Sequence, residues 1–403
     1  MDPLKSNPTR NSAKEALDDF LPRAGRTYQT ERNYDYGPEQ RHYVSRLSPF
    51  IRRRLITEEE VVEAARHRHG SKNAQKFIQE VFWRTYWKGW LEMRPQVWES
   101  YLQERRLRLE EIQSGGPRKQ AYSRATNAQT GMDAFDAWVR ELVETGYLHN
   151  HTRMWFASIW IFTLRLPWEL GADFFFRHLL DGDPASNTLG WRWVAGIQTP
   201  GKHYVATAEN ISKFTSRRFA PPQLAVDPPP LEYSEDRERR SLPETRSPEE
   251  LESLPCGLIL TPEDCLAEQS PLRRLAVEAV FHGLPTNLYD AFRIALPVRN
   301  WTASAIRDAG DRAGAHFRCP VRDTGFTDAY ENHLRQWCHE NRLKNIVFLL
   351  PPVGPWRDFL DSLRESLSKE GIRCHPFRRT WDEELYPKAT KGFFAFRKHI
   401  PSV

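Results

Sequence analysis

The 403-residue sequence is long enough for two domains, and 39% hydrophobic and 28% charged residues are ordinary for a soluble globular protein. The net charge of +5 permits a polyanionic partner without requiring one. The polar N-terminus lacks a signal-peptide pattern, and the most apolar stretch, Met154–Leu164, is much shorter than the roughly 18–20 residues of a membrane span. We therefore expect a cytoplasmic protein without a membrane partner.

The five cysteines all lie after residue 255 and lack paired close spacing. An odd number of unpaired cysteines is typical of reduced thiols rather than of a disulfide framework. We therefore expect no disulfides, and we expect no iron–sulfur cluster.

Helical patterns fill the first 220 residues. Thr57 and Glu60 have capping-box spacing, which predicts a helix start. Residues 74–92 place apolar side chains on one broad face, and residues 130–147 and 150–166 predict two further helices. Because no alternating strand pattern occurs here, we predict an all-helical domain over residues 1–220.

The composition changes after residue 220. Residues 221–250 are rich in proline and charge, which predicts a linker or a loosely wrapped surface segment. Beyond them, Ile346–Leu350, Pro355–Gly371 and Ile372–Phe377 read as strand, helix and strand, the pattern of a parallel βαβ unit. We therefore predict a smaller α/β domain, Rossmann-like with a parallel sheet, over residues 251–403. Its predicted strands are 256–261, 276–281, 345–350 and 372–377.

Asp181–Trp193 is the segment richest in functional residue types. Asp181 and Asp183 could ligate Mg²⁺ or Ca²⁺, but the further oxygen ligands of a calcium loop are missing. The alternative is a helix end followed by a turn, with Asp181 paired to an arginine of the core, and spacing leaves both open. His149 and His151 suggest a metal-dependent nuclease, yet no further ligand lies at suitable spacing nearby. We predict no metal site.

Six sequence blocks, in order between positions 28 and 193, resemble the FAD-binding domain of the photolyase/cryptochrome family. Any one match is weak, but six in the family's order are specific. The resemblance implies a helical FAD-binding domain, FAD as the cofactor and blue-light chemistry. The blocks are Tyr28 with Arg32 and Asn33, Ser45–Pro49, Glu80–Tyr86, Thr130–Ala134, His149–Met154 and Asp181–Trp193.

The resemblance also assigns the residues around FAD. Hydroxyl and backbone N–H groups near a helix start suit its pyrophosphate. Arg153 paired with Asp181 would favour the anionic reduced flavin, and Asn187 would face flavin N5, as in the repair enzymes. The implied cofactor-binding residues are Tyr28, Ser45, Arg46, Leu47, Ser48, Phe77, Glu80, Arg84, Asn150, Arg153, Asp181, Asp183 and Asn187.

Residues of the implied substrate pocket match the enzymes that repair cyclobutane pyrimidine dimers. Trp83 and Trp193 would stack on a flipped-out dimer, and Glu80 would donate a hydrogen bond or proton to its carbonyl. Asn150 and Met154 match these enzymes and not those acting on the (6-4) lesion. The resemblance thus implies a carbon–carbon lyase acting on damaged DNA, which we expect to be a monomer.

Two tryptophans match the inner members of the chain that reduces FAD after light absorption. Trp191 and Trp168 take these positions, which with Glu80 and Asn187 completes the implied catalytic set. The third member is open between Trp98 and Trp160.

Three departures from the family leave alternatives. The α/β domain follows the FAD domain, so it is either a permuted antenna-like domain or an independent fusion. The sequence motif that begins the family's antenna domain is absent, and we therefore expect no second chromophore. His151 stands where many repair enzymes have a DNA-contacting arginine. Arg52–Arg54 either supply that missing DNA contact or form a solvated helix end. The tail after Gly196 is also unfamiliar. The alternatives are a cryptochrome-like photoreceptor with a protein signalling partner, and a flavin-free structural homologue.

Overall fold

In this computed structural model the first half of the chain is helical and the second half surrounds one sheet. The structure describes residues 7–221, 224–234 and 237–400. Within them, no helix is long and apolar enough to cross a membrane. The helices before the sheet are α1 (Arg10–Phe20), α2 (Arg26–Glu31), α3 (Ser48–Arg52), α4 (Glu58–Glu92), α5 (Pro95–Gln113), α6 (Gly116–Thr126), α7 (Asp133–Thr145), α8 (Asn150–Ser158), α9 (Trp168–His178), α10 (Pro184–Ala195) and α11 (Ala208–Phe214).

The longest helix, α4, begins where the capping box predicts. Thr57 Oγ1 accepts a hydrogen bond from the Glu60 backbone N–H at 3.2 Å, and Glu60 Oε2 accepts one from the Thr57 N–H at 2.9 Å. Gly70, with φ +72°, interrupts the helix before residues 74–92. The resulting kink separates a charged first part from the apolar second part that lines the candidate site.

Two predicted helices differ in detail from the structure. The helix predicted from residue 130 begins only at Asp133, because the Asp136 carboxylate binds the N–H groups of Thr130 and Gly131 at 3.0 Å and holds them in a turn. The helix predicted over 150–166 is α8 followed by one π-helical turn, Ile159–Thr163.

The second half forms a five-stranded, wholly parallel sheet in the order β3-β2-β1-β4-β5. This confirms the predicted α/β class with a parallel sheet. The four predicted strands are present, whereas β3 was not predicted, since it is an edge strand with few buried residues. The strands are β1 (Cys256–Ile259), β2 (Val277–Pro285), β3 (Val321–Thr327), β4 (Asn345–Leu349) and β5 (Arg373–Phe377), and the helices are α12 (Thr286–Ala291), α13 (Leu296–Phe317), α14 (Tyr330–Glu340), α15 (Pro355–Lys369), α16 (Thr380–Leu385) and α17 (Phe393–Phe396).

The segment between the two halves is extended and attached to both of them. The backbone N–H of Leu231 donates to Ala195 O at 3.0 Å, that of Arg240 to Met93 O at 2.8 Å, and that of Arg246 to Pro376 O at 2.9 Å. Its described residues therefore bond both the helical half and the sheet half through their backbone.

A buried ionic cluster joins the two halves at the carboxyl end of β1. Arg52 Nη2 donates to Glu263 Oε1 at 2.7 Å, and Arg54 Nη2 donates to Asp382 Oδ1 at 2.7 Å. Arg53 Nη2 donates to Thr302 Oγ1 at 3.0 Å. Both earlier interpretations of Arg52–Arg54, as DNA contacts or a solvated helix end, are therefore wrong: carboxylates far along the chain bury these arginines.

Candidate functional site

The candidate site begins where α2 meets the second part of α4. Tyr28 packs its ring edge against Phe77 with centroids 5.1 Å apart, and Arg32 Nε lies 3.6 Å from Glu80 Oε1. Burial raises the pKa of Glu80, although Arg32 and Lys76 oppose the shift. The Glu80 side chain is still 32% exposed, so its carboxyl group can reach a ligand.

An ion pair between a half-buried arginine and a buried carboxylate lies just after α9. Arg153 Nη2 lies 2.9 Å from Asp181 Oδ2, and Arg153 Nε donates to Leu148 O at 3.0 Å. Burial would raise the pKa of Asp181, but Arg153, a hydrogen bond with Ser48 and the charge of Arg84 together lower it. Asp181 is therefore ionised at neutral pH, and its Oδ1 atom is buried with no hydrogen-bond partner.

Asp183 caps α10 and faces three cations. Its Oδ1 accepts from the Ser186 N–H at 2.8 Å, while Oδ2 lies 3.5 Å from Arg84 Nη1, 3.6 Å from Lys88 Nζ and 3.8 Å from Arg52 Nε. Burial alone would raise the pKa of Asp183, but the three cations hold it well below its usual range. Arg84 Nη1 and Lys88 Nζ are themselves buried without a hydrogen-bond acceptor.

The loop before α3 lies next to this carboxylate pair. The helix begins at Ser48, whose side chain hydrogen-bonds Asp181, and the Leu47 N–H donates to Ser45 Oγ at 3.4 Å. Arg46 has a left-handed backbone, with φ +51°, and Leu47 is fully buried. The loop thus places the hydroxyls of Ser45 and Ser48 beside the start of α3.

Asn187 is the fourth residue of α10 and is held in place by its amide. Its Nδ2 atom donates to Ala172 O on α9 at 2.8 Å. This bond occupies the amide nitrogen and leaves the amide oxygen as the acceptor available to a ligand.

The residues predicted to contact DNA are only partly free. Asn150 is exposed and Met154 is half-buried at the start of α8. Trp193 stacks on Tyr204 with centroids 5.8 Å apart, and Trp83 stacks on Phe393 of α17 at 3.7 Å with the planes 11° apart. One ring face of Trp83, a residue predicted to stack on a base, is thus covered by a phenylalanine 310 positions away.

His151 turns toward the protein. Its ring stacks on Trp155 at 4.4 Å, and its Nδ1 atom lies 3.0 Å from Asn33 O. Burial lowers the pKa of His151, although its bond to Asn33 opposes the shift. A neutral, half-buried imidazole is a weak contact for DNA phosphate.

The two predicted electron-transfer tryptophans lie in different aromatic groups. The Trp191 ring lies 6.1 Å from that of Trp160, whereas Trp168 lies 5.6 Å from Tyr101, which is 5.3 Å from Trp98. Each candidate for the third member therefore belongs to a different group. Trp160 lies next to Trp191, whereas Trp98 is connected to Trp168 through Tyr101.

Sequence reasoning missed three contributors to the site. Lys88 and Arg52 face Asp183, and Phe393 covers Trp83. The spacing of Lys88, four residues after Arg84, was a signal that both share one helix face. No local pattern identifies Phe393 or the partners of Arg52.

Comparison with known proteins points to one family. Residues 77–221 match the family model described as the FAD binding domain of DNA photolyase. Deoxyribodipyrimidine photo-lyase from Streptomyces griseus is 35% identical over 156 residues, which are 38% of this chain and 32% of that protein. The enzyme of the same name from Synechococcus sp. is 32% identical over 246 residues, 56% of this chain and 48% of that one. The matches thus span about a third to a half of these relatives.

Two solved structures are similar to 52% of this chain. A class III photolyase from Agrobacterium tumefaciens has 27% identity, 43% coverage of its own chain and a TM-score of 0.44. A cryptochrome from Synechocystis sp. has 21% identity, 43% coverage and a TM-score of 0.40.

Proposed function

Residues 77–221 belong to the FAD-binding domain family of the DNA photolyases, and from this premise we propose that the protein binds FAD and repairs cyclobutane pyrimidine dimers under blue light. The observation that carries the proposal is the pair of the half-buried Arg153 with the buried Asp181, which adjoins the Ser48 hydroxyl. A fixed cation paired with an ionised carboxylate provides electrostatics that suit an anionic flavin.

Buried polar atoms that make no hydrogen bond fit a large polar cofactor. Asp181 Oδ1 and Ser186 Oγ are of this kind, and so are Arg84 Nη1 and Lys88 Nζ, whose ion pairs with Asp183 include no hydrogen bond. Such groups are costly unless a ligand or water satisfies them. The residues that would hold FAD are Tyr28, Ser45, Arg46, Leu47, Ser48, Phe77, Glu80, Arg84, Asn150, Arg153, Asp181, Asp183 and Asn187.

Reduced FAD, when bound, supplies the light-excited electron for dimer splitting. The chain itself provides the proton and the contacts. Glu80, with its raised pKa and partial exposure, would donate to the dimer carbonyl, on which negative charge develops. Asn150 and Met154 would contact the dimer from the start of α8, while Trp193 would stack on it.

The decisive experiment illuminates reduced protein with blue light in the presence of an oligonucleotide containing one cyclobutane dimer. We expect restored thymines in light and none in darkness. Glu80→Gln should slow repair about 10²-fold, the lower end for a positioned acid, and Glu63→Gln, exposed on the same helix, should not. A flavin-bound protein that leaves the dimer intact under light would overturn the proposal.

The covered face of Trp83 favours a second candidate, a cryptochrome-like photoreceptor. Phe393 already fills the stacking position, so light could act by releasing α17 toward a protein partner rather than by repair. In that case illumination should increase hydrogen exchange in residues 391–400 while the dimer stays unsplit. Equal exchange in light and darkness would exclude this candidate.

A further inference from the structure

The last helix, α17, and the residues around it cover Trp83 through apolar contacts alone. Phe393 stacks on Trp83, and Phe396 packs 5.5 Å from Tyr86 on the same face of α4. Phe393 and Phe396 are 4% and 1% exposed. We call residues 391–400 the covering segment.

Hydrogen bonds attach the chain before the covering segment to the helical half as far as residue 390. Trp381 Nε1 donates to Thr85 Oγ1 at 3.1 Å, and Arg94 Nη2 donates to Thr390 O at 3.0 Å. Gly89 allows this attachment, because a Cβ there would lie 2.8 Å from Tyr386 Cα. Among the described residues, the covering segment has hydrogen bonds only within itself, such as Phe396 N–H to Gly392 O, and no ion pair.

A segment held only by side-chain packing can separate without breaking polar bonds to the body. The exposed Gly392, two residues after the last anchored carbonyl, provides a flexible joint. The energetic cost of separation is then the burial of two phenylalanines and one aromatic stack.

The outer surface of this segment is positively charged. Lys391, Arg397, Lys398 and the nearby Lys388 are exposed, and the sequence has no Asp or Glu from Tyr386 to Val403. Phe394 is 73% exposed, with the Arg397 guanidinium 5.6 Å from its ring. A polyanion with stacking bases matches this surface better than an apolar ligand does.

We propose that the covering segment is a displaceable occupant of the base-stacking face of Trp83, and that single-stranded nucleic acid must move Phe393 aside before a base stacks there. The proposal rests on the proposed function, in which Trp83 contacts the flipped base. The basic side chains attract the strand, and a base then replaces the Phe393 ring on the indole.

The test compares three full-length proteins binding a fluorescent oligothymidylate, with and without one cyclobutane dimer. Phe393→Ala removes the competing ring and should bind about five- to tenfold more tightly than the wild type. Phe393→Leu should lie in between. Phe394→Ala, the adjacent exposed ring, should not strengthen binding. If Phe393→Ala and Phe393→Leu bind no better than the wild type, including no binding at all, the proposal is overturned.

A second measurement follows displacement in the wild type directly. Saturating oligonucleotide should increase hydrogen exchange at the Ala395 and Phe396 amides, which bond Gly392 O, because a four-residue helix is not stable once it separates from the body. Unchanged exchange in oligonucleotide-bound protein would also overturn the proposal. Binding and exchange are independent of repair, so a protein that fails to split dimers but gains affinity through Phe393→Ala loses the proposed function and keeps this inference.

Discussion

Lys88 Nζ lies 3.6 Å from the Asp183 carboxylate, with each side chain 1% exposed. Burial lowers the pKa of Lys88, although Asp183 opposes the shift. Arg84 Nη1 lies 3.5 Å from the same carboxylate, whereas Arg52, at 3.8 Å from it, is paired with Glu263. Asp183 is therefore the nearest counter-charge of Lys88 and Arg84, and a buried cation without a counter-charge would be strongly unfavourable.

Asp183→Asn should destabilise the protein by about 3–5 kcal/mol, since it removes the nearest counter-charge of the buried Lys88 and of Arg84, while Arg52 keeps its pair with Glu263. Urea unfolding followed by tryptophan fluorescence measures the change. The matched control is Asp361→Asn, in a half-exposed pair with Arg364, which should cost no more than about 0.5 kcal/mol. Equal losses in the two variants would contradict this account of Asp183.

Gly171→Ala should destabilise the protein by about 1–3 kcal/mol through overpacking. A Cβ at Gly171 would lie 2.3 Å from Trp191 Cη2 and 3.0 Å from Trp160 Nε1, both in rigid buried rings. Gly190→Ala in α10 is the control, because a Cβ there meets nothing within 4 Å and alanine should stabilise the helix by up to about 1 kcal/mol. Thermal unfolding should shift in opposite directions; a shared direction would contradict the predicted clash.

His149 should make stability depend on pH. Its Nδ1 accepts the His151 N–H at 3.1 Å at the start of α8, which requires a neutral ring, and burial lowers the pKa of His149 to about 4. The unfolded chain, with a pKa near 6.5, takes up the proton first, so stability is full above about pH 6.5 and falls as the pH drops toward 4.

The variant His149→Asn keeps a capping acceptor and removes this titration. Between pH 7 and pH 5 the wild type should lose about 2 kcal/mol more than the variant, by urea unfolding at each pH. Parallel losses in the two proteins would show that His149 does not carry the dependence.

Local signals in the sequence predicted the elements well. The capping box at Thr57 located the start of α4, and short apolar runs located four of the five strands. The edge strand β3, VRDTGFT, escaped because its side chains alternate between exposed and half-buried and so lack an apolar run. Burial on both faces, not strand propensity alone, is what makes a strand visible in a sequence.

Contacts between distant residues could not be predicted in the same way. The resemblance implied the pairing of Arg153 with Asp181, because motif order carries that information. The partners of Arg52 and Trp83 lie 211 and 310 positions away, in a region where no family pattern was available. Arginine runs at helix ends are commonly solvated. Here Arg52–Arg54 are buried because residues of the sheet half pack against the end of α3.

Asp181→Asn should weaken flavin binding at least tenfold, a loss of about 1.4 kcal/mol. Arg153 would lose its counter-charge, and the asparagine would keep only one acceptor oxygen for Arg153 and Ser48, so these two residues expected around the cofactor would be held less firmly. The measurement is flavin absorbance retained by the protein after gel filtration, with a titration of free FAD.

The matched control is Asp290→Asn, which breaks the carboxylate–arginine pair with Arg299 on the exposed side of the sheet half. It should retain flavin as the wild type does, because nothing in the site depends on that pair. If Asp181→Asn keeps full flavin occupancy while its unfolding curve is unchanged, the ion pair does not organise a flavin site. A loss confined to Asp181→Asn would instead tie the buried charge to the cofactor, since the two variants remove the same chemical group from different surroundings.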